Sequence, residues 1–586
     1  MFSWLVIFIY VAVYSRFAEA EILGTSDKLL ELYDFIVVGG GTAGNVLANR
    51  LSADRRTTVL VIEAGGPNDV LDLQIPYLWT SLIGSAYDWN STSTPQSGLG
   101  NRSVSLARGI GLGGSSSINA MLYTLGSADN YDAIAELVDD ESWSWNRLEP
   151  FFGKDGTQLG SSPSPVMDTI EVAPPRFYQP TDGRIMQTTQ ENSEFPFNNN
   201  TNSGKQLGFG WSKSTIAPDG TRSSSATVYL KPEVINRPNL HVLLNTQVTR
   251  LLQLDRTDKT RFDGVEFVEN VRSVPSRTKL VAAKREIILS AGAYGTPHIL
   301  LNSGIGDARD LTSLGITPKH DLPSVGHNLT DHALTTLTWI VNSTTTYESI
   351  QRNETLRAML LDQWYRNGTG DFSSSGIDHV ACLRLPSTAD IFNSVPDPSA
   401  GPNTGHFEII ITNGNIFGGP TPDNLIAATL MVLTPMSRGF VKLNSAHPLD
   451  KAAINPSYLS HQFDRYTMRE TIRATQRFFD SSAWNGYVLS RAGEFATVDL
   501  EDDKELDAYI RDNVVSGLHP VESSSMSPRG ASWGVTDPDL NVKGLQGLRV
   551  VDASVIPLIP AAHTQGPTYV YAEMAADIIK KYWNIV

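Results

Sequence analysis

Two short apolar runs near the start of the chain predict neighbouring β-strands. Residues 33–38 are mostly apolar and lead directly into the pattern Gly-x-Gly-x-x-Gly at 39–44, after which Ala, Leu and Val recur with helical spacing. A second apolar run, 58–62, ends at Glu63. The order of these elements is a strand, a glycine turn, a helix, a second strand and an acidic residue. This order predicts a βαβ unit that binds a dinucleotide.

Two more apolar runs follow the same pattern much later in the chain. Residues 284–291 lead into the glycine turn 292–295, and residues 548–551 lead into small residues. A helical pattern from Thr568 to Tyr582 comes after the last run. These pieces predict one sheet that is assembled from distant parts of the sequence.

The segments between these runs have a different periodicity. Asn239–Arg272 and Thr404–Asn444 alternate apolar and polar residues, as antiparallel strands do, and Phe463–Phe479 has helical spacing. Gly156–Asn202 is rich in Ser, Pro, Asn and Gly, which indicates a long surface connection. We therefore expect a second domain, made of antiparallel sheet plus helices, inserted into the first.

The predicted fold class is α/β, and α+β overall. A Rossmann-like nucleotide-binding domain is expected at 21–153, 236–332 and 511–586. The connection and the first part of the substrate-binding domain are expected at 154–235, and the main part of that domain at 333–510. A chain of 586 residues is long enough for two such cores.

Composition and charge restrict the classes of partner. The hydrophobic fraction of 41% fits a globular protein, and the formal net charge of −16 disfavours nucleic acid or an anionic membrane as a partner. Cys382 is the only cysteine, so no intramolecular disulfide can form. Its apolar neighbours predict a strand, and we expect the thiol to be an inert core group.

The first twenty residues predict a signal peptide. Residues 4–14 are apolar, too few to span a bilayer, and Ala18-Glu19-Ala20 resembles a cleavage site. The expected location is therefore secreted and extracellular. Seven N-x-S/T sequons agree with a secreted glycoprotein: Asn90, Asn101, Asn199, Asn328, Asn342, Asn353 and Asn367.

Further glycine-rich and polar motifs carry a resemblance to a known family. The segments 108–119 and 292–306, together with 39–44, resemble the two signature patterns of the glucose–methanol–choline (GMC) flavin oxidoreductases. Segments 325–332 and 547–554 are also similar to family segments. The resemblance covers Tyr33 to Lys580, and it is strongest to fungal aryl-alcohol oxidases and pyranose dehydrogenases.

The resemblance implies that the Rossmann-like domain binds FAD. Gly39 permits the tight turn, Gly41 allows close approach of a pyrophosphate, and Gly44 allows the helix to pack on the strand. Glu63 is expected to accept hydrogen bonds from the adenosine ribose. The full set of expected cofactor-binding residues is Gly39, Gly41, Thr42, Ala43, Gly44, Glu63, Gly113, Gly114, Ser116, Asn119, Val248, Asp552 and Ala553. Ile118 stands where some sugar-oxidising relatives have a histidine bonded to FAD, so non-covalent FAD is expected.

Two histidines in small-residue loops are the expected catalytic groups. A lone loop histidine is usually solvated or structural, but His519 and His563 coincide with the paired residues above the flavin in the family. His519 is expected to accept the hydroxyl proton and His563 to hold the substrate oxygen. Glu522 occupies a position where the family usually has glycine. We expect no metal site, and we interpret His327, Asp331 and His332 as capping or interdomain residues.

The predicted activity is oxidation of an alcohol CH–OH group to a carbonyl, with transfer of hydride to FAD. A primary aryl or allylic alcohol is the favoured substrate. A pyranose dehydrogenase that uses quinones and a biosynthetic alcohol dehydrogenase for a natural product remain open, as does an FAD-containing hydroxynitrile lyase. Oxygen or a quinone is the expected electron acceptor.

Overall fold

The structure of the protein is a computed structural model that describes residues 22–152, 172–175, 178–255, 257–270 and 277–585. The predicted signal peptide, residues 1–20, lies outside these ranges. Most of the first half of the predicted connection, up to residue 171, also lies outside them. Within the described ranges, no helix is both long and apolar enough to cross a membrane.

The strands and α-helices are numbered in chain order. The strands are β1 Ile22–Leu23, β2 Leu32–Val38, β3 Val59–Ile62, β4 Gly208–Trp211, β5 Leu240–Leu243, β6 Thr246–Leu252, β7 Gly264–Glu269, β8 Lys279–Leu289, β9 Ile305–Gly306, β10 His320–Asp321, β11 His327–Leu329, β12 Ala333–Val341, β13 His379–Leu383, β14 Phe407–Thr412, β15 Leu425–Val432, β16 Gly439–Lys442, β17 Ala453–Asn455, β18 Val488–Arg491, β19 Val515–Ser516 and β20 Leu548–Val550. The helices are α1 Gly44–Leu51, α2 Leu71–Gln74, α3 Trp79–Leu82, α4 Ala128–Val138, α5 Trp145–Leu148, α6 Asp182–Glu191, α7 Ser225–Tyr229, α8 Pro232–Ile235, α9 Gly292–Asn302, α10 Ala308–Ser313, α11 Tyr347–Arg352, α12 Glu354–Asn367, α13 Gln462–Phe479, α14 Asp503–Asn513 and α15 Gln565–Trp583.

The first sheet is built from distant parts of the chain, as the apolar runs predict. Its order is β1-β5-β3-β2-β8-β7-β6, with β20 paired to β8. The strands β1, β5, β3, β2, β8 and β20 are parallel. Because β2 and β3 are buried along nearly their whole length, they read as continuous apolar runs in the sequence. The glycine turn after β2, Glu63 after β3 and the start of α9 after β8 therefore meet at one edge of the sheet.

The segment that begins at Asn239 differs in part from its prediction. The strands β6 and β7 pair in antiparallel fashion, as the alternating pattern indicates. The first strand, β5, instead pairs in parallel with β1 and β3. All three strands extend the first sheet. Alternation reports which face of a strand is buried, but it does not report the direction of the neighbouring strand.

The second sheet is antiparallel and forms a wall that faces the first. Its order is β13-β14-β15-β12-β18, with β19 paired to β12. On one face, Ile409 and Leu430 join a hydrophobic core that includes residues of α13. The other face carries Ile410, Thr429 and Met431, which line a large cavity. This period of two separates a core face from a cavity face.

These two sheets confirm the predicted fold class. The domain boundaries at 153, 235, 332 and 510 remain a prediction. The strand β19 belongs to the second sheet and β20 belongs to the first. The chain between them passes from one sheet to the other, and it carries His519. This connection brings a loop residue to the junction of the two sheets.

A buried ion pair attaches the C-terminal strand and helix to the first sheet. Glu286 on β8 pairs with Arg549 on β20 at 2.6 Å, and both side chains are almost completely buried. Glu286 also accepts a hydrogen bond from the indole N–H of Trp583 at 2.7 Å. Because both charges are paired and hydrogen-bonded, their burial is tolerated in this position.

Candidate active site

A cavity of about 1150 Å³ lies between the two sheets. This volume exceeds the roughly 300–1,000 Å³ of pockets that hold drug-sized ligands, so the cavity has room for a large cofactor and a substrate. Most of the predicted site residues line it: Gly39, Gly41, Thr42, Ala43, Glu63, Gly114, Ser116, Asn119, Val248, His519, Asp552, Ala553 and His563. Gly44 and Gly113 are not among the lining residues.

The glycines at 39–44 form a cradle with different roles at each position. A Cβ atom on Gly44 would lie 1.9 Å from the carbonyl oxygen of Gly39, so a side chain there would block close packing of the turn. Gly39 has a φ of +104°, which favours glycine. A Cβ atom on Gly41 would meet nothing closer than Gly114 Cα at 3.8 Å, so this glycine borders open space.

The N-terminus of α1 points to the same space. Its N-cap residue is Ala43, and no side chain caps the first turn. The first backbone N–H groups of a helix have no partner within the helix, and the helix dipole adds partial positive charge there. The open glycine and the uncapped helix together fit a pyrophosphate, as FAD contains.

Glu63 is held by the glycine loops that surround it. Its carboxylate accepts hydrogen bonds from the backbone N–H groups of Gly40, Gly65 and Gly111, each at 2.9 Å. Burial raises the pKa of this carboxyl group, and the backbone hydrogen bonds oppose that shift. A carboxylate has about four acceptor positions, so capacity remains for a ribose hydroxyl. The predicted contact with ribose stays a prediction.

Asp552 connects two of the predicted segments, 292–306 and 547–554. One of its carboxylate oxygens accepts from Gly292 N at 2.9 Å and from Thr296 Oγ1 at 2.6 Å. The other oxygen accepts from Ser554 N at 2.8 Å, which caps the short helix Ala553–Val555. This side chain therefore fixes the start of α9 against the chain end of β20.

Asn119 belongs to a buried polar network at the cavity wall. The guanidinium of Arg222 donates to the backbone oxygen of Asn119 at 2.7 Å and to its side-chain oxygen at 2.9 Å. Arg222 is 2% exposed, and burial lowers its pKa to about 9. Asn119 also donates to Gln565 at the start of α15. These contacts give the glycine-rich segment 108–119 a fixed conformation.

The structure brings His519 and His563 together. Their ring centroids are 4.5 Å apart, with an angle of 73° between the ring planes, and both residues line the cavity. They are 44 positions apart in the sequence. Their contact places two imidazoles on one part of the cavity wall, as the family resemblance implies.

Two consecutive residues before β12 hold His519. Asp331 accepts the backbone N–H of His519 at 2.7 Å, and the Nδ1 atoms of His332 and His519 are 3.0 Å apart. Burial lowers the pKa of His519 well below its ordinary value, and the neighbouring His563, His332 and Arg108 lower it further. The imidazole of His519 is therefore neutral at physiological pH. Sequence reasoning gave Asp331 and His332 a capping or interdomain role and did not identify this contact.

Glu408 is a second partner that sequence reasoning missed. Its carboxylate is 2.9 Å from Nε2 of His563, and Thr124 Oγ1 accepts the backbone N–H of His563 at 2.8 Å. The strands β12, β14 and β15 are fully described, and Glu408 is the only charged residue in them. A single carboxylate inside an apolar strand was the available signal, because a buried charge needs a partner.

Aromatic and aliphatic side chains form part of the cavity wall, together with polar residues such as Asn513, Ser516 and Gln565. Trp89 and Phe417 are among the aromatic residues of the lining. Trp79 also lines the cavity and contacts Phe417 edge to face at 5.4 Å. Other apolar lining residues include Ile83, Leu122, Leu334, Ile377, Ile410, Ile416 and Met431.

Glu522 lies outside the cavity lining. One carboxylate oxygen accepts from the backbone N–H of Ile559 at 3.2 Å, and the other pairs with Arg438 at 3.1 Å. Burial raises the pKa of this carboxyl group to about 7, and Arg438 opposes the shift. The side chain therefore joins the His519 segment to the chain that leads to His563, with no contact at the cavity surface.

Comparison with known proteins gives consistent results. A sequence profile described as GMC oxidoreductase matches residues 33–334, and a second with the same description matches residues 435–572. The chain is 38% identical to dehydrogenase eriK of Hericium erinaceus, over 94% of each chain. It is 37% identical to pyranose dehydrogenase 3 of Leucoagaricus meleagris, over 94% of this chain and 93% of that protein.

Two solved structures show the same similarity in three dimensions. A variant of formate oxidase from Aspergillus oryzae RIB40, studied for its FAD modification, has a TM-score of 0.86 at 28% identity, over 95% of this chain and 99% of that one. A fungal aryl-alcohol oxidase has a TM-score of 0.81 at 25% identity, over 95% of this chain and 100% of that one.

The open space beside Gly41 leads to a prediction about cofactor affinity. We expect Gly41→Ala to fold normally, because the added Cβ meets no atom closer than 3.8 Å. The methyl group should occupy space needed by the pyrophosphate and weaken FAD binding at least about tenfold, a cost of about 1.4 kcal/mol. Titration of the FAD-free protein with FAD measures this change.

Gly183→Ala is the matched control, since a Cβ atom there meets nothing within 4 Å and Gly183 lies in α6. Wild-type FAD affinity in Gly41→Ala would contradict the assignment of the cradle. So would an equal loss of affinity in Gly183→Ala.

Proposed function

The chain belongs to the GMC oxidoreductase family, and from that premise we propose that its substrate is a primary alcohol of the aryl or allylic type. The family assignment makes the protein an FAD-dependent oxidoreductase that acts on CH–OH donors. The observation that carries the proposal is the pair His519 and His563 in the wall of a cavity that aromatic and aliphatic side chains also line.

We assign the proton transfer to His519. Bound FAD supplies the acceptor for a hydride from the carbinol carbon. The hydroxyl proton must leave as the C–H bond breaks, because the new carbon–oxygen double bond needs alkoxide character. His519 is neutral and lines the cavity, so it can accept this proton.

His563 is assigned to hold the substrate oxygen beside His519. The Glu408 carboxylate is within hydrogen-bond distance of Nε2 of His563 and is completely buried. The oxygen of Glu408 is therefore placed to accept a hydrogen bond from Nε2 of His563. This contact fixes the orientation of the His563 ring beside His519, where the substrate oxygen is proposed to bind.

The cavity walls favour an apolar alcohol over a sugar. Every hydroxyl of a bound sugar needs a polar partner, because a buried polar group without a hydrogen bond costs free energy. The hydroxyls on the cavity side of the second sheet already bond within the protein: Thr336 with Thr429 at 3.2 Å, and Thr412 with the oxygen of Gly414 at 2.8 Å. Aromatic or allylic carbons fit the apolar surface that remains.

Sugar oxidation is the second candidate function. It is favoured by the 37% identity to pyranose dehydrogenase 3 over nearly the whole chain. The similarity to dehydrogenase eriK, at 38% identity, supports the related possibility of a natural-product alcohol. The electron acceptor is proposed to be oxygen or a quinone.

The mode of FAD attachment and the secretory route are further parts of the proposal. Ile118 lines the cavity and has no group that can bond to FAD, which supports non-covalent binding. Acid precipitation should then leave the flavin in the supernatant.

All seven sequon asparagines are exposed, which supports secretion as a glycoprotein. The protein can be expressed in a eukaryotic host, collected from the medium and treated with an endoglycosidase. A mass that the treatment leaves unchanged would contradict glycosylation at these sequons.

Anaerobic mixing with candidate substrates tests the proposed function. We expect benzyl alcohol and cinnamyl alcohol to bleach the flavin absorbance, since only substrate oxidation reduces the bound FAD. Glucose and xylose should leave it oxidised, because their hydroxyls would lie against the apolar part of the lining. Bleaching by the sugars alone would replace the proposal with the second candidate. Cleavage of a cyanohydrin without any bleaching would indicate a lyase.

Removal of the proposed base gives a sharper test. His519→Ala should lower the limiting rate of anaerobic flavin reduction by about 10²–10⁴, the usual contribution of a general base. His327→Ala is the control, since His327 is an exposed histidine outside the cavity lining. A reduction rate in His519→Ala close to that of the wild type would remove His519 from the mechanism.

A further inference from the structure

His332 and His519 share a hydrogen bond between their Nδ1 atoms, at 3.0 Å. Both residues are buried, and His332 has no exposed surface. One Nδ1 must donate and the other must accept in such a bond. The direction of this bond therefore fixes which nitrogen of His519 carries hydrogen, and this matters if His519 is the base of the proposed function.

The other nitrogen of His332 decides the direction. Its Nε2 is 3.1 Å from the backbone oxygen of Leu433. A carbonyl oxygen can only accept, so Nε2 of His332 carries a hydrogen. Burial lowers the pKa of His332 to about 3, so the ring is neutral and its Nδ1 has a lone pair. His332 is thus an acceptor toward His519.

The same logic then applies to His519. Its Nδ1 must carry the hydrogen that His332 accepts, and a neutral imidazole has only one N–H. The lone pair is therefore on Nε2. Among the residues that the structure describes, none forms a hydrogen bond with Nε2 of His519, whose ring lines the cavity. This nitrogen is available to a substrate hydroxyl.

We propose that His332 is a positioning residue that holds His519 in the tautomer with an unprotonated Nε2, through the chain Leu433 carbonyl–His332–His519. The inference rests on the proposed role of His519 as the base. It gives His332 a task distinct from that of Asp331, which fixes only the backbone of His519.

The neighbouring contacts support a fixed orientation. The carboxylate of Asp331 also accepts from Ser516 Oγ at 2.5 Å and from the hydroxyl of Tyr458. Leu518, directly before His519, has a φ of +61°, which is uncommon for a residue with a branched side chain. Arg108 donates to the backbone oxygen of Leu518 at 2.5 Å. The backbone is therefore held independently of His332, so replacement of His332 should change mainly the ring of His519.

The test compares two substitutions of nearly equal size. His332→Asn keeps an oxygen that can accept from Nδ1 of His519, whereas His332→Leu has no acceptor. We expect His332→Leu to lower the limiting rate of anaerobic flavin reduction by about 10–10³, because the inactive tautomer becomes accessible. His332→Asn should stay within about fivefold of the wild type, about 1 kcal/mol in barrier height. The control His327→Leu alters an exposed histidine five positions earlier and should change nothing.

A second readout does not depend on turnover. Exchange of the C2 hydrogen of His519 with deuterium, followed by mass spectrometry, reports the protonation behaviour of that ring. The C2 exchange rate of His519 should change in His332→Leu, because the acceptor for the Nδ1 hydrogen of His519 is lost. The rate should stay close to that of the wild type in His332→Asn. FAD content and melting temperature check that each variant is folded.

Three results would overturn the inference. Equal losses of flavin-reduction rate in His332→Asn and His332→Leu would indicate that His332 acts only through packing. A wild-type rate in His332→Leu would show that Nδ1 of His519 needs no hydrogen-bond acceptor. If His332→Leu does not retain FAD, the His332→Asn variant decides. A loss of flavin-reduction rate above about a hundredfold in His332→Asn, with C2 exchange of His519 unchanged from the wild type, would then contradict the inference. If no alcohol reduces the wild-type flavin, the proposed function fails, while the exchange experiment still decides the tautomer.

Discussion

The contact between His519 and His563 is the constraint on which the candidate site depends. The two residues come from different loops, and their rings meet at 4.5 Å only because the chain between β19 and β20 crosses from the second sheet to the first. The glycine cradle at the edge of the first sheet and one face of the second sheet border the same cavity. A shift of either sheet would separate the imidazoles from each other and from this cavity.

Buried polar residues hold the two histidines in place. Asp331, His332 and Glu408 are buried and contact the two histidines through the hydrogen bonds described above. Burial of His519 without a carboxylate partner on its ring favours the neutral form, which a proton acceptor requires. His563 has a carboxylate partner instead. Two imidazoles in contact therefore have different surroundings, which suits them to different tasks.

The sequence was most informative where a local pattern determines the structure. The apolar run before Gly39, the acidic residue Glu63 and the helix ending near Tyr582 could be recognised without knowledge of tertiary contacts. Glu408 and His332 could not be assigned, because their partners lie 155 and 187 positions away. The direction of β5 was missed for the same reason: it depends on pairing with β3, and no periodicity within the strand reports it.

The most direct test of the account is a crystal structure of the FAD-bound protein. It predicts that the pyrophosphate lies at Gly41 and the start of α1, and that the reactive ring system of FAD contacts both His519 and His563. A ring system elsewhere in the cavity would contradict the account. So would a structure in which the two imidazoles face different surfaces.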